Sequence, residues 1–285
     1  MSWLSAVQRL RVDRRPGVLV TVTTVRGHAP REAGAKLVVA QGECWGTVGG
    51  GNLEEVALNR ARQMIADRET VPDTLTVRLN DQARNRYGRQ CCGGEVTLLL
   101  EPLPVVPSVA IFGLGHVGLE LARILARHDL ELHLIDSRPE QVAPQRLALL
   151  GDAVADLHPH LAVVPELVLG EVPSGTHVLI MTHDHAEDFA LCDAALRCAH
   201  LGAVGLIGSA VKWKRFVRNL LAEGHAPERV ESINSPIGLP ELTGKDPAVI
   251  AVGVAAQLLA ALQEEREMAS AATSSTVQRD SGRMA

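Results

Sequence analysis

The chain has 285 residues, of which 46% are hydrophobic and 2% aromatic, and its formal net charge is −5 at pH 7. This length favours about two domains with aliphatic cores, and the negative charge argues against a nucleic-acid partner held by general electrostatics. The five cysteines are an odd number without a C-x-x-C pair, which excludes a secreted disulfide framework and argues against a structural zinc site.

The N-terminal residues 1–15 do not have the order of a signal peptide, because their charged residues follow the apolar ones. No apolar run is long enough to cross a bilayer. We therefore expect a cytoplasmic protein without a membrane partner.

The first part of the chain predicts a mixed α/β domain. An amphipathic helix is predicted over residues 2–13, and a β-branched run at residues 18–25 is typical of a buried strand. Further strands are predicted over residues 37–40, 44–48, 74–79 and 95–101, and a helix over about 53–66. A proline-rich stretch at residues 102–107 is typical of a stiff linker, so we assign residues 1–104 to the first domain.

Three consecutive glycines, Gly49, Gly50 and Gly51, lie between a predicted strand and a predicted helix. Their backbone N–H groups can form an anion nest, although a tight turn explains them equally well. Glu54 follows in the first helical turn, where a carboxylate favours the helix dipole and needs no ligand.

The sharpest feature of this half is the cysteine pair Cys91 and Cys92, which precedes Gly93 and Gly94 and follows three arginines between residues 84 and 89. Nearby cations favour a thiolate, and a thiolate can bind a soft metal or carry sulfur. The alternative is a pair of alternating cysteines at the start of a strand, one of them buried and inert.

The second part of the chain begins with a dinucleotide-binding motif. A short apolar strand at residues 109–112 leads directly into GLGHVG at residues 113–118, which opens a helix. A second strand is predicted over residues 131–135, and Asp136 lies at its carboxyl end. Strand, G-x-G-x-x-G, helix, strand and acid are the parts of a Rossmann unit in their usual order.

Each glycine of this motif has a physical role. Gly113 allows the tight turn, Gly115 lets the backbone approach a phosphate, and Gly118 lets the helix pack closely on the strand. The helix N-terminus offers unpaired N–H groups to an anion, and Asp136 is placed to accept hydrogen bonds from a ribose. The motif therefore predicts NAD(P) or another nucleotide as a ligand, although the fold alone does not fix the function.

The rest of this part predicts a Rossmann-like, doubly wound parallel-sheet domain over residues 105–267. Strands are predicted at residues 177–181 and 203–207, and helices at 186–200, at 212–223 and from Pro247 to about Glu267. We expect the last segment, residues 268–285, to be disordered.

Polar or glycine-rich segments follow the predicted strands of this domain. Besides the glycine loop and Asp136 they contain Arg138, His183, Asp184, Gly208 and Ser209. Because ligands of open α/β sheets bind beyond the carboxyl ends of the strands, we expect these residues to line one crevice. The alternative for Asp184 and Ser209 is that they only cap the helices that follow them.

Together these segments resemble the XdhC/CoxI family, the xanthine dehydrogenase accessory proteins. The first half carries GHAPREAGAK at residues 27–36, GTVGGGNLE at 46–54 and QCCGG at 90–94. The second half carries the glycine loop, DSR at residues 136–138, MTHD at 181–184, GLIGS at 205–209 with Lys212, and PIGL at 236–239. Relatives of the CoxI type often carry a cysteine where this chain has Asn52, so the resemblance is to the XdhC branch.

The resemblance implies a chaperone of purine catabolism that binds molybdenum cofactor (molybdopterin). It implies that a cysteine desulfurase supplies the terminal sulfur, and that the cofactor then passes into apo xanthine dehydrogenase. Molybdopterin carries a phosphate, a pterin and a dithiolene, for which the glycine loops, Arg31, Lys36 and the cysteine pair are candidate contacts. Cys92 is our first candidate for a contact to the molybdenum.

We also expect contacts with molybdenum cofactor biosynthesis proteins and a homodimer. No convincing catalytic set of residues is present, so we favour a chaperone without turnover over an enzyme. Two alternatives remain: an NAD(P)-dependent oxidoreductase that uses the glycine loop with Asp136, and a sulfur carrier that acts through Cys91 or Cys92.

Overall fold

The computed structural model describes residues 1–79 and 93–280, with side chains of the last helix described as far as Met268. The chain divides into two compact units. The first comprises residues 1–105 together with residues 263–285, and the second comprises residues 106–262.

The first unit is built on a five-stranded antiparallel sheet with the order β3-β2-β1-β5-β4. Its strands are β1 (Gly17–Arg26), β2 (Lys36–Ala40), β3 (Glu43–Gly46), β4 (Asp73–Arg78) and β5 (Glu95–Leu103), and its helices are α1 (Trp3–Val12) and α2 (Gly51–Ala66). Side chains of β2 alternate between the faces of the sheet: Leu37 and Val39 belong to the core under α2, and Val38 and Ala40 pack with α1. Helices therefore cover both faces of this sheet.

The second unit is built on a six-stranded parallel sheet with the order β11-β10-β9-β6-β7-β8. Its strands are β6 (Ser108–Phe112), β7 (Glu131–Asp136), β8 (Asp156–Leu161), β9 (His177–Ile180), β10 (Val204–Leu206) and β11 (Ile233–Asn234). Its helices are α3 (His116–Leu125), α4 (Pro144–Leu147), α5 (His185–Arg197), α6 (Ala210–Ala222), α7 (Pro227–Glu231) and α8 (Pro247–Asp280), of which α8 continues beyond the unit. Short 3₁₀ helices lie at Pro139–Gln141, Ala148–Leu150 and Pro165–Gly170.

Both faces of the parallel sheet are buried, which explains why its central strands are continuous apolar runs. In β6, Val109 and Ile111 join the core formed with α3 and α8, whereas Ala110 and Phe112 join the core formed with α5 and α6. The predicted fold class, an α/β domain followed by a Rossmann-like domain, is confirmed.

The start of α8 corrects one expectation from the sequence. Residues Pro247–Met268 are long and apolar enough to cross a membrane by length and composition. Core helices of globular proteins pass the same test, and one face of this helix, with Ala251, Val254 and Ala255, is buried in the second unit. The helix also continues to Asp280, past its predicted end near Glu267.

Candidate functional site

The glycine loop between β6 and α3 has the geometry of a dinucleotide-binding turn. Gly113 has a φ of +101°, and a Cβ placed on it would collide with the backbone of Met181 and Thr182. A Cβ on Gly118 would collide with the carbonyl oxygen of Gly113, so this glycine permits close packing of helix on strand. A Cβ on Gly115, by contrast, would have no atom within 4 Å.

Gly115 thus lies where a ligand can approach the backbone. Its φ is −64°, so a side chain at this position causes no backbone strain. Gly115 is the N-cap of α3 and makes no side-chain cap hydrogen bond. The first N–H groups of the helix therefore receive no acceptor from the cap residue, and they point, with the positive end of the dipole, toward the loop.

The Asp136 carboxylate lies under this loop with 2% of its side chain exposed. It accepts a hydrogen bond from Leu114 N–H at 2.7 Å and three from Arg138, through the backbone N–H, Nε and Nη2, each at 2.9 Å. Burial raises the pKa of Asp136, but these hydrogen bonds outweigh it, so the pKa lies below its usual value. The carboxylate is therefore an ionised group that is already saturated by its own chain.

A second arginine lies against the same loop. Arg146, on α4, donates through Nη2 to the carbonyl oxygen of Leu114 at 3.0 Å. Its Nε is buried and has no hydrogen-bond partner among the residues that the structure describes. Two guanidinium groups, those of Arg138 and Arg146, thus flank the N-terminus of α3. Arg146 was not predicted, because α4 is a single short turn without a periodic pattern.

The strand order places the topological switch point between β6 and β9, since the chain leaves β6 toward β7 and later returns to pair β9 on the other side. The close approach of Gly113 to Thr182 joins these two strand ends. The end of β7 is joined to α5 by a hydrogen bond of 3.0 Å from Ser137 Oγ to Glu187 Oε2. Burial raises the pKa of Glu187, and the charges of Asp136 and Asp188 raise it further.

The ends of β9 and β10 are joined by a buried ion pair between Asp188 on α5 and Lys212 on α6. Asp188 also accepts hydrogen bonds from the N–H and the hydroxyl of Thr182, at 3.0 and 2.8 Å, and Lys212 donates to the carbonyl oxygen of Ile207 at 3.1 Å. Sequence reasoning did not assign Asp188, although it lies on the apolar stripe of α5 beside Cys192, where a carboxylate needs a partner.

The remaining predicted residues of this edge are caps or surface groups. Asp184 caps α5 by accepting hydrogen bonds from Ala186 N–H and Glu187 N–H, and Ser209 caps α6 by accepting one from Lys212 N–H. His183 is exposed. The structure thus brings the four strand ends together, and the role of these residues in binding stays a prediction.

In the first unit, a carboxylate of the protein itself binds backbone N–H groups at the Gly49–Gly51 turn. Glu54 Oε2 accepts hydrogen bonds from Val48 N–H and Gly50 N–H, each at 3.2 Å, and from the hydroxyl of Thr47. Gly49 N–H donates to Thr47 Oγ1 at 3.1 Å. This favours the tight-turn interpretation, because a carboxylate of the protein lies where an anion would bind.

The loop before β2 packs on this turn. A Cβ on Gly49 would collide with Pro30 and lie 3.5 Å from Cγ of Arg31, which itself is exposed. Lys36 is engaged within the domain: its Nζ donates to Thr21 Oγ1 at 2.9 Å and lies 5.2 Å from the ring centroid of Trp3. Of the predicted cations of this half, Arg31 is the one beside the glycine turn.

Gly93 and Gly94 lie against the start of the same loop. Gly93 forms a parallel bridge with His28, and a Cβ on Gly94 would collide with the carbonyl oxygen of His28. Gly94 therefore serves a close contact within the chain. The candidate ligands Cys91 and Cys92 lie outside the described residues, and so does the predicted molybdenum contact of Cys92.

Among the described side chains, those of residues 1–79 and 93–268, no group of three or more His, Cys, Asp or Glu is arranged to hold a metal ion. The glycine loop, the switch point and the parallel sheet define the second unit as a Rossmann-type domain. A family model described as the XdhC Rossmann domain matches residues 109–258, and one described as the XdhC and CoxI family matches residues 10–79. The chain belongs to the XdhC and CoxI family.

The chain is also similar to individual proteins. The uncharacterized protein YqeB of Escherichia coli strain K12 is 25% identical over 261 residues, which are 91% of this chain and 46% of YqeB. The chain thus spans about half the length of this curated relative. A crystal structure described as a xanthine dehydrogenase from Bacillus halodurans is 20% identical with a TM-score of 0.45, covering 93% of this chain and 96% of that one.

Proposed function

We propose that this protein is an accessory factor of xanthine dehydrogenase that binds molybdenum cofactor as cargo. It holds the cofactor while a cysteine desulfurase supplies the terminal sulfur, and it then delivers the cofactor to apo xanthine dehydrogenase in the cytoplasm. The observation that carries this proposal is the match of the two XdhC family models to both halves of the chain.

The described residues fit the phosphate of such a cargo better in the second unit than in the first. The cradle above Gly115 is open, and the buried Nε of Arg146 has no partner in the described part of the chain. In the first unit, Glu54 occupies the glycine turn and Lys36 is bound to Thr21. We therefore assign the phosphate to the second unit.

The test is an anaerobic titration of the purified chain with molybdenum cofactor, followed by transfer to apo xanthine dehydrogenase. We expect stoichiometric binding and activation of the enzyme. Cys92→Ser, which nearly conserves the volume of the side chain, is expected to fold with a normal Tm but to lose binding or activation. Cys44→Ser is the matched control, because Cys44 is an exposed free cysteine in β3. Failure of the wild-type chain to bind the cofactor contradicts the proposal.

A second candidate is an NAD(P)-dependent oxidoreductase, which the three glycine geometries and the switch point favour. Against it, the carboxylate that would hold the ribose diol is already saturated by Leu114 and Arg138. Titration with NAD(H) and NADP(H) separates the candidates. Tight nicotinamide binding with hydride transfer, and no cofactor binding, would replace the accessory role.

A further inference from the structure

The end of β7 is chemically unlike a site that recognises the ribose of NAD. In such a site a carboxylate at this position accepts hydrogen bonds from the ribose hydroxyls. Here Asp136 accepts four hydrogen bonds from Leu114 and Arg138, with both oxygens in use, and it is 2% exposed. A diol has no acceptor left on this carboxylate unless Arg138 leaves it.

Two arginine side chains lie near the end of β7 and the glycine loop. Arg138 uses Nε and Nη2 on Asp136, and its side chain is 27% exposed. Arg146 approaches from α4, and its buried Nε has no hydrogen-bond partner among the described residues. The guanidinium groups of Arg138 and Arg146 thus lie beside the amide groups at the start of α3, and guanidinium N–H groups donate well to the oxygens of a phosphate.

Two further acids, Glu140 and Glu187, also act on Arg138 through their charges. Glu187 accepts a hydrogen bond from Ser137 Oγ, and burial raises its pKa from the ordinary value. The open cradle above Gly115 supplies the space that a phosphate needs near the backbone.

We propose that the crevice at the carboxyl edge of the parallel sheet binds a phosphate monoester through Arg138, Arg146 and the amide groups of the glycine loop, and does not hold a ribose diol through Asp136. Two ligand classes carry this chemistry: molybdopterin, through its phosphate, and 2′-phosphorylated dinucleotides such as NADP(H). The inference does not rest on the accessory role, since either ligand satisfies it.

The test compares probes that differ in the monoester. Calorimetric titrations use NADP⁺ against NAD⁺, 2′-AMP against adenosine, and molybdenum cofactor. We expect each probe that binds to require the monoester, with a preference of about tenfold or more over its partner without it. Equal affinity for NAD⁺ and NADP⁺, or no binding of any monoester probe, overturns the proposal.

Substitutions test whether Arg146 contributes to binding of the phosphate monoester. Arg146→Gln is expected to weaken monoester binding by about tenfold or more, and Arg146→Lys to recover part of it, because the charge returns without the fork. Arg123→Gln is the matched control: this arginine lies on α3 but is half exposed and pairs with Glu120. Tm values show whether each variant is folded.

Cofactor binding distinguishes this proposal from the accessory role. If Arg146→Gln and Gly115→Val both bind molybdenum cofactor with wild-type affinity, the accessory role stands and the phosphate site is overturned. If NADP⁺ does not bind but cofactor binding requires Arg146, the monoester site is supported and molybdopterin is its ligand.

Discussion

The carboxylate of Glu54 accepts a hydrogen bond from the backbone N–H of Gly50 at 3.2 Å. The same oxygen also accepts from Val48 N–H and from the hydroxyl of Thr47. An acid in the first turn of α2 thus organises the glycine turn that precedes the helix. This contact accounts for the conformation of the turn without any external anion.

Replacement of this acid tests that role. Glu54→Gln keeps the size of the side chain but removes the charge on the acceptor, so we expect a loss of about 1–3 kcal/mol in the free energy of unfolding. Urea unfolding measures it, with Glu55→Gln on the same helix as the control. An unchanged free energy of unfolding, combined with loss of molybdenum cofactor binding, would instead return the turn to the list of candidate anion sites.

The glycine loop of the second unit permits a sharper comparison, because its glycines serve different purposes. Gly115→Val is expected to fold with a Tm near that of the wild type, since a Cβ there meets no atom within 4 Å and the φ of −64° suits any residue. It should abolish binding of molybdenum cofactor or NADP⁺ in the crevice. Unchanged binding of every ligand would show that the loop is not used.

Gly118→Val is the structural counterpart. Its Cβ would collide with the carbonyl oxygen of Gly113, so the helix must move from the strand. We expect a cost of about 1–3 kcal/mol or more, as for other overpacked sites, measured by urea unfolding. A wild-type stability of this variant would contradict the packing role of Gly118.

The elements with strong periodicity were predictable, and the parts that were not have physical reasons. The strand, glycine loop, helix and second strand from residue 109 onward follow local rules, and the structure confirms them. β8 was not predicted, because Asp156–Leu161 contains Pro159 and lacks an apolar alternation. The strand lies at the edge of the sheet, where a proline is tolerated. Its stability comes from partners in β7, such as the stack of His158 on His133 with ring centroids 4.8 Å apart.

The candidate site, too, could be predicted from the sequence only in part. The glycine roles and the convergence of the strand ends follow from the order of elements, which the sequence contains. The saturation of Asp136 and the approach of Arg146 depend on side chains that meet only in the folded domain. A sequence motif therefore identified the place of the site, but not which of its groups remain able to bind a ligand.

The ion pair of Asp188 and Lys212 is expected to be a major contribution to the stability of the second unit. Lys212→Met leaves a carboxylate with 1% exposure without its cation, so we expect a loss of about 3–5 kcal/mol. Lys214→Met, at an exposed position of the same helix, is the control. The double variant Asp188→Asn with Lys212→Met should recover part of the loss, and a wild-type stability of Lys212→Met would contradict the role of the pair.

The cysteines of the described residues should differ in reactivity. Burial, together with the charge of Asp188, raises the pKa of the Cys192 thiol to about 12, so the thiolate is scarce near neutral pH. Cys44 is exposed. Alkylation of the native protein with iodoacetamide, read by peptide mass spectrometry, should modify Cys44 and spare Cys192 until the protein is unfolded. Rapid native labelling of Cys192 would show that α5 opens readily.

The pairing of Arg138 with Asp136 predicts a specific pH dependence. In the wild type the pKa of Asp136 lies below its usual value, so the stability that this group contributes is present above the unfolded pKa of about 3.9 and is lost as the pH falls through the lower folded pKa. In Arg138→Gln, burial remains and the strongest opposing hydrogen bonds are gone. We therefore expect the pKa of Asp136 to rise above its unfolded value.

The contribution of Asp136 to stability in Arg138→Gln then has the opposite sign from that in the wild type. A carboxyl whose folded pKa is raised destabilises the protein once it ionises, so Arg138→Gln should be most destabilised near pH 7 and recover relative to the wild type near about pH 5. Urea unfolding at both pH values measures this, and Arg123→Gln, an exposed ion pair, should show a small loss that is similar at both. A loss in Arg138→Gln that does not change with pH would mean that Arg138 stabilises the domain by packing and not through Asp136.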